Sequence, residues 1–519
     1  MEGGGRCGQC GGEASLRCGG CSVVHYCSKN HQRQHWPIHK AQCWPFTLAT
    51  DPGTGRHLVA SRNLQEGQLV VREAPVVLGP TADSFPICLG CHCPITEEGF
   101  SRCPRCSWPL CSLDCAAAPL HQAECAVLAT DTKGVAVPPG YVKTPRYDVI
   151  LVLRCLLLQE TNPAAWEKVR AMESHAERRR QENEPHTEIA VAYFTKVLDA
   201  GWDEETVRHV HGAIITNAIN TYGARREALR GLYTTLYLMN HSCCPNVTIR
   251  SEPDGTVYAR AAVPIKKGQP LLFSYLPPSD PLWRRQGDLT SLYYFRCNCE
   301  RCIDHTELGT YFSSPLCPQC SGGFLEPYEG GGRPWSCPEC GEEQPEEEVA
   351  RQAEEYVKRI QEESTDMEAA LQMLTDAANT FHTNHFVWLT AAQMVLHHLQ
   401  DSTTPHTLSV RRDLWQRIIG LYQRLEPGAT RRKGVSLFNA ALVEKEAVEV
   451  QMAASEKKVP SKGLEEGLNR AVTMLDASIK ILELEPPAST ELRWLEAARK
   501  VREHMFDLIA TTGGVAVGQ

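Results

Sequence analysis

Cysteine and histidine spacing carries the first readable chemistry of this 519-residue chain. Cys7, Cys10, Cys18, Cys21, Cys27, His31, His39 and Cys43 fall within one short stretch. Thiolates and imidazoles grouped in fours bind zinc tetrahedrally, and these eight ligands can hold two ions in cross-braced order. So short a segment cannot bury a core, and metal binding must drive its folding. His35 lies between the ligand pairs and reads as a surface or packing histidine. A second cassette follows with the same order: Cys88, Cys91, Cys103, Cys106, Cys111, Cys115, His121 and Cys125. Cys93 sits close enough to compete with Cys91, although spacing favours Cys91.

Two further clusters lie later in the chain. Cys297, Cys299 and Cys302 form CxCxxC and lack a fourth ligand, for which Cys243 is the best candidate. Cys317, Cys320, Cys337 and Cys340 form two CxxC knuckles with zinc-ribbon spacing. These assignments use 21 of the 24 cysteines and imply about six zinc ions. Cys93, Cys155 and Cys244 remain; Cys155 lies in an apolar stretch and reads as an inert core thiol.

One polar knot stands apart. Asn240-His241-Ser242-Cys243-Cys244-Pro245-Asn246 precedes a hairpin, and a strand Leu271–Tyr275 follows and ends in a tyrosine. Polar side chains in such a place each need a partner if buried. The hairpin arms are read at Val247–Ser251 and Val257–Ala262, turning at Pro253-Asp254-Gly255. Upstream, Gly55-Arg56-His57 and the alternating Gln68–Val77 predict strands around a turn at Glu66-Gly67. Helices are predicted over Pro145–Glu160, Ala164–Glu182 and Glu204–Thr221. Arg154 interrupts the most apolar of these.

Composition bounds the class. The 42% of hydrophobic residues suffices for ordinary cores, and no apolar run reaches the roughly 18 residues of a membrane span. The glycine-rich, then polar, start is expected not to act as a signal peptide, so the thiols are expected reduced and zinc-bound rather than paired. These features exclude a secreted, a transmembrane and a collagen-like protein. The net charge of −9 argues against a general nucleic-acid binder. The first cassette is locally basic (Arg6, Arg17, Lys29, Arg33, Lys40), but no basic stripe continues beyond it.

The string from Tyr26 to Cys43 resembles a MYND zinc finger, with His31 where that family normally carries cysteine. The second cassette resembles a diverged MYND finger. The order of NHSCxPN, a strand ending in Ser-Tyr, and CxCxxC resembles a SET domain. Together they resemble the SMYD family of protein-lysine methyltransferases, most of all its arthropod-type branch. The resemblance implies S-adenosylmethionine as cofactor, held by Gly55, Arg56, His57, Asn240, His241, Tyr275 and Phe295, and more weakly by Asn217. It implies Tyr275 as the catalytic tyrosine and Tyr293 as a second tyrosine lining a lysine channel. Cys243, Cys297, Cys299 and Cys302 match the post-SET zinc ligands. The chain departs from the family pattern at His57, commonly glycine, and at Tyr237 and Tyr294, commonly small residues.

From residue 345 the chain reads as seven helices: Val349–Glu363, Met367–Phe381, Phe386–Leu399, Leu414–Leu425, Leu437–Ala454, Leu464–Leu484 and Glu491–Ile509. Pro405, Pro427, Pro460 and Pro486-Pro487 are placed in linkers. The expected fold is α+β and multidomain: MYND-type fingers, a β-rich SET domain with a helical insertion and post-SET zinc site, and a C-terminal, TPR-like helical bundle. The expected divisions are 1–46 (finger), 47–87 (first part of SET), 88–125 (second cassette), 126–235 (helical insertion), 236–305 (SET core and post-SET site), 306–344 (four-cysteine, zinc-ribbon-like segment) and 345–519 (helices). The expected function is methylation of lysine on a histone or non-histone protein, in the cytoplasm and/or nucleus, by a monomer without membrane or direct nucleic-acid binding. The alternative is a catalytically weak or inactive MYND scaffold that binds proline-rich partners in transcriptional regulation, with Trp36 as a candidate groove aromatic, although packing against the zinc loops is the role its position favours.

Overall fold

The computed structural model describes all residues except 1–4, 22–23, 41–42, 82–83, 97–98, 132–146, 199, 321, 329–332, 455–461 and 512–519. Residues 145–146 of the predicted insertion helix and the Pro460 linker lie outside the described residues.

The chain builds its β core from small sheets. Val247–Ser251 pairs antiparallel with Val257–Ala261, which pairs with Leu69–Glu73. The predicted hairpin thus forms, and its turn glycine, Gly255, takes φ +81°. A second sheet joins Ile219–Tyr222, Ala228–Leu232 and Val77–Pro80. Phe46–Asp51 and Gly55–Ala60 make a separate hairpin. Asn240–His241 runs parallel to Leu272–Phe273, so the polar knot is held beside the strand that leads to Tyr275. Of the predicted Leu271–Tyr275 strand, Leu272–Phe273 forms this pair, Leu271 donates its N–H to Leu58 O (2.8 Å), and the Tyr275 amide turns to the His241 side chain. Leu58, Val70, Val71, Tyr233, Leu236 and Met239 pack behind these sheets as a buried core.

The insertion contains more breaks than the sequence predicts. The Asp148–Thr161 helix forms. The predicted Ala164–Glu182 helix splits into Pro163–Arg170 and Ala176–Gln181. The cause is Glu173, whose carboxylate takes the amides of Ser174 and His175 that a continuing helix would give to carbonyls. The predicted Glu204–Thr221 helix stops at Asn217, because the β-branched stretch from Ile219 pairs as a strand. A further helix spans Pro185–Ala192.

Arg154 is the keystone of this region. Within an otherwise apolar helix it is 6% exposed, and its guanidinium is saturated. It donates to Glu124 (2.7 and 3.1 Å), to Leu89 O (2.9 Å), to His92 Nε2 (2.9 Å) and to Leu78 O. The second cassette is thereby bolted to the insertion helix and to a core strand. Burial, with Arg154 next to it, pushes the His92 imidazole down to about 3, so it stays a neutral acceptor.

The C-terminal part consists of the helices Glu346–Glu363, Met367–Thr380, Phe386–His398, Pro405–Leu425, Arg431–Ala453, Lys462–Leu482 and Leu492–Thr511. Pro405, predicted in a linker, is instead the first helical residue, where its missing N–H costs nothing; Thr404 caps the helix through Thr407 N. The bundle grips the β core around the hairpin. Arg250, on the hairpin, is 2% exposed and donates to Ile481 O (3.0 Å) and Ala429 O (2.9 Å), and pairs with Glu485 (3.1 Å). Gly428 lies so close to Ala262 O that no side chain would fit there.

Candidate functional site

The zinc ligands come together as the spacing requires. Four-membered groups form from Cys7, Cys10, Cys27 and His31; from Cys18, Cys21, His39 and Cys43; from Cys88, Cys91, Cys111 and Cys115; and from Cys103, Cys106, His121 and Cys125. Cys243 joins Cys297, Cys299 and Cys302, and within each of these five groups the donor atoms lie within 4.8 Å of one another. Such soft donor sets fit zinc. Both cassettes are cross-braced, and Cys91 rather than Cys93 enters its cluster. In the ribbon-like segment Cys317 Sγ lies 3.6 Å from Cys340 Sγ, and Cys320 Sγ 3.6 Å from Cys337 Sγ. His35 packs: it meets Tyr26 OH at 3.0 Å and stacks on His39. Groups behind the ligands are also ordered. Glu124 lies 3.7 Å from His121 Nδ1, and the buried Arg285, paired with Glu307, donates to Cys302 Sγ.

Around the polar knot the predicted residues converge. His241 Nδ1 accepts from Tyr275 N–H (3.0 Å), so its Nε2 carries the proton and faces Cys243 Sγ at 3.3 Å. Burial pushes this imidazole down to about 4. His241 therefore locks the tyrosine strand to the metal cluster through both nitrogens. Tyr275 OH donates to Met239 O (2.9 Å), and burial pushes the phenol up, so it remains protonated. Its ring is 5.0 Å from the Tyr293 ring, 5.1 Å from His241 and 6.5 Å from Phe295, centre to centre.

Tyr293 ends the Leu282–Tyr293 helix, and Tyr294 caps it with φ 60°, a left-handed turn that a tyrosine rarely adopts. The cap is held from outside: Tyr294 OH donates to Glu182 (3.1 Å), and Arg178 and Arg179 lie over its ring. This anchoring is the role of the large residue there. Gln286 fixes the next segment by exchanging two bonds with the backbone of Cys297.

His241 and Phe295 pack against the tyrosine pair, and Asn240, next to His241, reaches the turn that contains Gly55. Gly55 takes φ +70°, and a Cβ there would meet nothing within 4 Å. Asn240 Nδ2 donates to Thr54 O (3.0 Å), and its oxygen accepts no bond from the described residues. Phe295 leaves 37% of its surface open. A free acceptor, an open glycine turn and an uncovered aromatic face fit S-adenosylmethionine. Two departures from the family pattern are accommodated. His57 folds back on Gly55 O (3.1 Å), and Tyr237 packs on the core under the Arg56 guanidinium. Asn217 Nδ2 donates to Glu173 O (2.7 Å) and Ala213 O (2.8 Å), which ties the end of its helix to the 171–173 turn that Arg56 also holds at Ala171 O.

A cavity of about 1210 Å³ opens beside the tyrosine pair. Tyr275 and Tyr293 line it, together with Leu151, Ile214 and Arg230 from the insertion and its strand. Sequence reasoning missed these wall residues, because no motif marks them.

Comparison with known proteins agrees with this layout. The MYND finger family matches residues 7–43, and the SET domain family matches residues 55–276. The second cassette falls inside the latter span. The SET domain-containing protein SmydA-8, isoform A, of Drosophila melanogaster is 29% identical over 57% of this chain and 64% of its own length. The N-lysine methyltransferase SMYD2 of Homo sapiens is 29% identical over 48% of this chain and 58% of its own, and SMYD2-B of Xenopus laevis is 27% identical over 48% and 59%. The match thus spans less than two thirds of these relatives. A finger of the one family and a SET domain of the other, in this order and with these relatives, support placing the chain with the SMYD family of SET and MYND domain proteins.

Proposed function

We propose that this chain is an S-adenosylmethionine-dependent protein-lysine N-methyltransferase acting on histone or non-histone protein. The observation that carries the reading is the Tyr275–Tyr293 pair, which lines the large cavity and packs against His241 and Phe295. When bound, S-adenosylmethionine supplies a methyl group activated on a sulfonium. Gly55, Arg56, His57, Asn240, His241 and Phe295 would hold it, Phe295 by stacking and Asn240 by its free oxygen. The protonated Tyr275 hydroxyl orients the incoming amine by hydrogen bonding, and Tyr293 narrows the channel. The aromatic walls exclude water, favour the neutral amine and stabilise positive charge at the product.

We assign six zinc ions to the 24 ligands, all structural, and the divisions given above to finger, SET, ribbon and helical units. The double finger fits the arthropod-type branch. The protein works as a monomer in the cytoplasm and/or nucleus on a protein bearing the target lysine. No helix among the described residues is long and apolar enough to cross a membrane. A second reading is favoured by one observation: Trp36 and Ile38 of the first finger are 45% and 69% exposed, a face suited to a proline-rich partner. The test is methyl transfer from labelled S-adenosylmethionine to lysine peptides and lysate proteins, with Tyr275→Phe as control. Label on lysine, lost in the control, supports the enzyme. Folded, zinc-loaded protein that neither binds cofactor nor transfers methyl leaves only the scaffold.

A further inference from the structure

The chain is acidic overall, yet the cavity beyond Tyr275 and Tyr293 has its surplus charge in cations. Its carboxylates are already committed. Glu182 takes Arg178 (3.1 Å) and Tyr294 OH (3.1 Å). Glu184 caps a helix through His186 N and Thr187 N (3.2 and 2.8 Å). Glu227 takes Arg225 N (2.8 Å), and Asp148 sits in the first turn of its helix, engaged by its surroundings. Among the cations Arg178 has Glu182, and Arg226 has Glu491 at 3.5 Å.

Arg225 is exposed to solvent, and Arg179 and Arg230 hydrogen-bond to no carboxylate among the described residues. Arg179 is 1% exposed and bonds only neutral oxygens: Leu292 O (2.7 Å), Ser174 O (3.2 Å) and Thr216 Oγ1 (3.4 Å). Arg230 donates to Ile214 O (3.2 Å), while its Nε is enclosed without any partner. Arg230 also lies close to Tyr293, whose phenol is raised by burial and held back by that guanidinium. His211 adds no charge, since burial pushes it down to about 4. A secluded guanidinium without a counterion is costly, and an anion that enters with a ligand relieves the cost.

We propose that the substrate brings an aspartate or glutamate close to its target lysine, and that Arg230 pairs with that carboxylate. Arg230 lies close to Tyr293, and an extended chain advances about 3.3 Å per residue, so the acidic residue is expected within about three positions of the lysine. Arg179 supplies field rather than contact, its Nε and Nη2 being spent on the backbone and Thr216. Arg230 is thus a specificity-determining residue. This inference rests on the methyltransferase reading, and its test separates the two.

Full-length, zinc-loaded protein is given S-adenosylmethionine and a peptide library with a central lysine and randomised flanks. Methylated members are sequenced by mass spectrometry. The expected result is enrichment of Asp and Glu within three positions, lost in Arg230→Gln and partly kept in Arg230→Lys. Enrichment of Lys or Arg, no charge preference, or a preference unchanged in Arg230→Gln overturns the inference. If no member is methylated, the methyltransferase reading fails, and binding still tests the cavity. Fluorescence anisotropy then compares labelled lysine peptides with acidic or basic flanks. The acidic peptide should bind better, and Arg230→Gln should weaken it about 30-fold or more, the loss expected on truncating one partner of a buried charge pair. Equal binding of both peptides, or no effect of the substitution, overturns the inference. Circular dichroism and cofactor binding of each variant verify that it is folded.

Discussion

Replacing Arg154 by methionine tests whether the second zinc cassette and the insertion helix form one mechanical unit. Glu124 and Arg154 are 0% and 6% exposed, and the pair is joined by two bonds of 2.7 and 3.1 Å. Arg154→Met leaves the carboxylate buried alone, a change that costs about 3–5 kcal/mol. It also strips Leu78 O and Leu89 O of their donor, adding about 1 kcal/mol or more. We expect a loss of at least about 4 kcal/mol in urea unfolding, together with faster hydrogen exchange in the Asp148–Thr161 helix. Arg154→Met combined with Glu124→Leu removes both charges and should recover most of that loss, since apolar replacement of a buried pair is often neutral. The double variant should still release zinc more readily from the second cassette, by about 10–100-fold, because Glu124 no longer stands behind His121. A cost under about 1 kcal/mol for Arg154→Met, or a double variant as unstable as the two single losses added, would refute the reasoning.

Three further outcomes are expected. Phe295→Ala should weaken S-adenosylmethionine by about 1–3 kcal/mol, the worth of a base on an aromatic face, as read by calorimetry; unchanged affinity would remove Phe295 from the cofactor site. Cys317→Ser and Cys340→Ser should each lower bound zinc by one ion per chain, measured by atomic emission, and leave cofactor affinity alone; an unchanged zinc content would dismiss the ribbon site. His385, fully buried, caps its helix through Val387 N, and burial pushes its pKa down to about 3. The folded state therefore keeps it neutral while the unfolded chain binds a proton below about 6.5. Its contribution is fully present above that value and is lost towards pH 3, at about 1.4 kcal/mol per unit. Between pH 6.5 and 5.5 the urea stability of His385→Gln should fall less than that of the wild type, and equal slopes would contradict this.

The parts of the site visible in the sequence are those whose chemistry fixes their spacing. A tetrahedral ion needs four soft ligands on tight turns, so the cassettes announce themselves, as does the hairpin with Gly255 at its bend. The polar knot is readable because Asn240 and His241 are odd neighbours for a strand. Hidden features are those decided by distant chain segments. Arg154 reads as a flaw in an apolar helix until Glu124, His92, Leu78 and Leu89 surround it. Arg179 and Arg230 carry no local signal, since their importance lies in which carboxylates are already taken. The break at Glu173 comes from one side chain capturing two amides, and the left-handed Tyr294 comes from contacts with a helix about 110 residues earlier.

The Arg250–Glu485 grip has a consequence for biosynthesis. Roughly 235 residues separate the two partners, so at about 5–20 residues per second the ribosome releases the guanidinium about 10–50 s before its counterion exists. During that interval the hairpin that packs beside the polar knot is complete in sequence but open on the face later covered by the helices. A chain truncated before Glu485 would leave that interval permanent. The segment that carries Glu485 therefore acts on the nascent protein as a timer, closing this face of the β core only once it has been made.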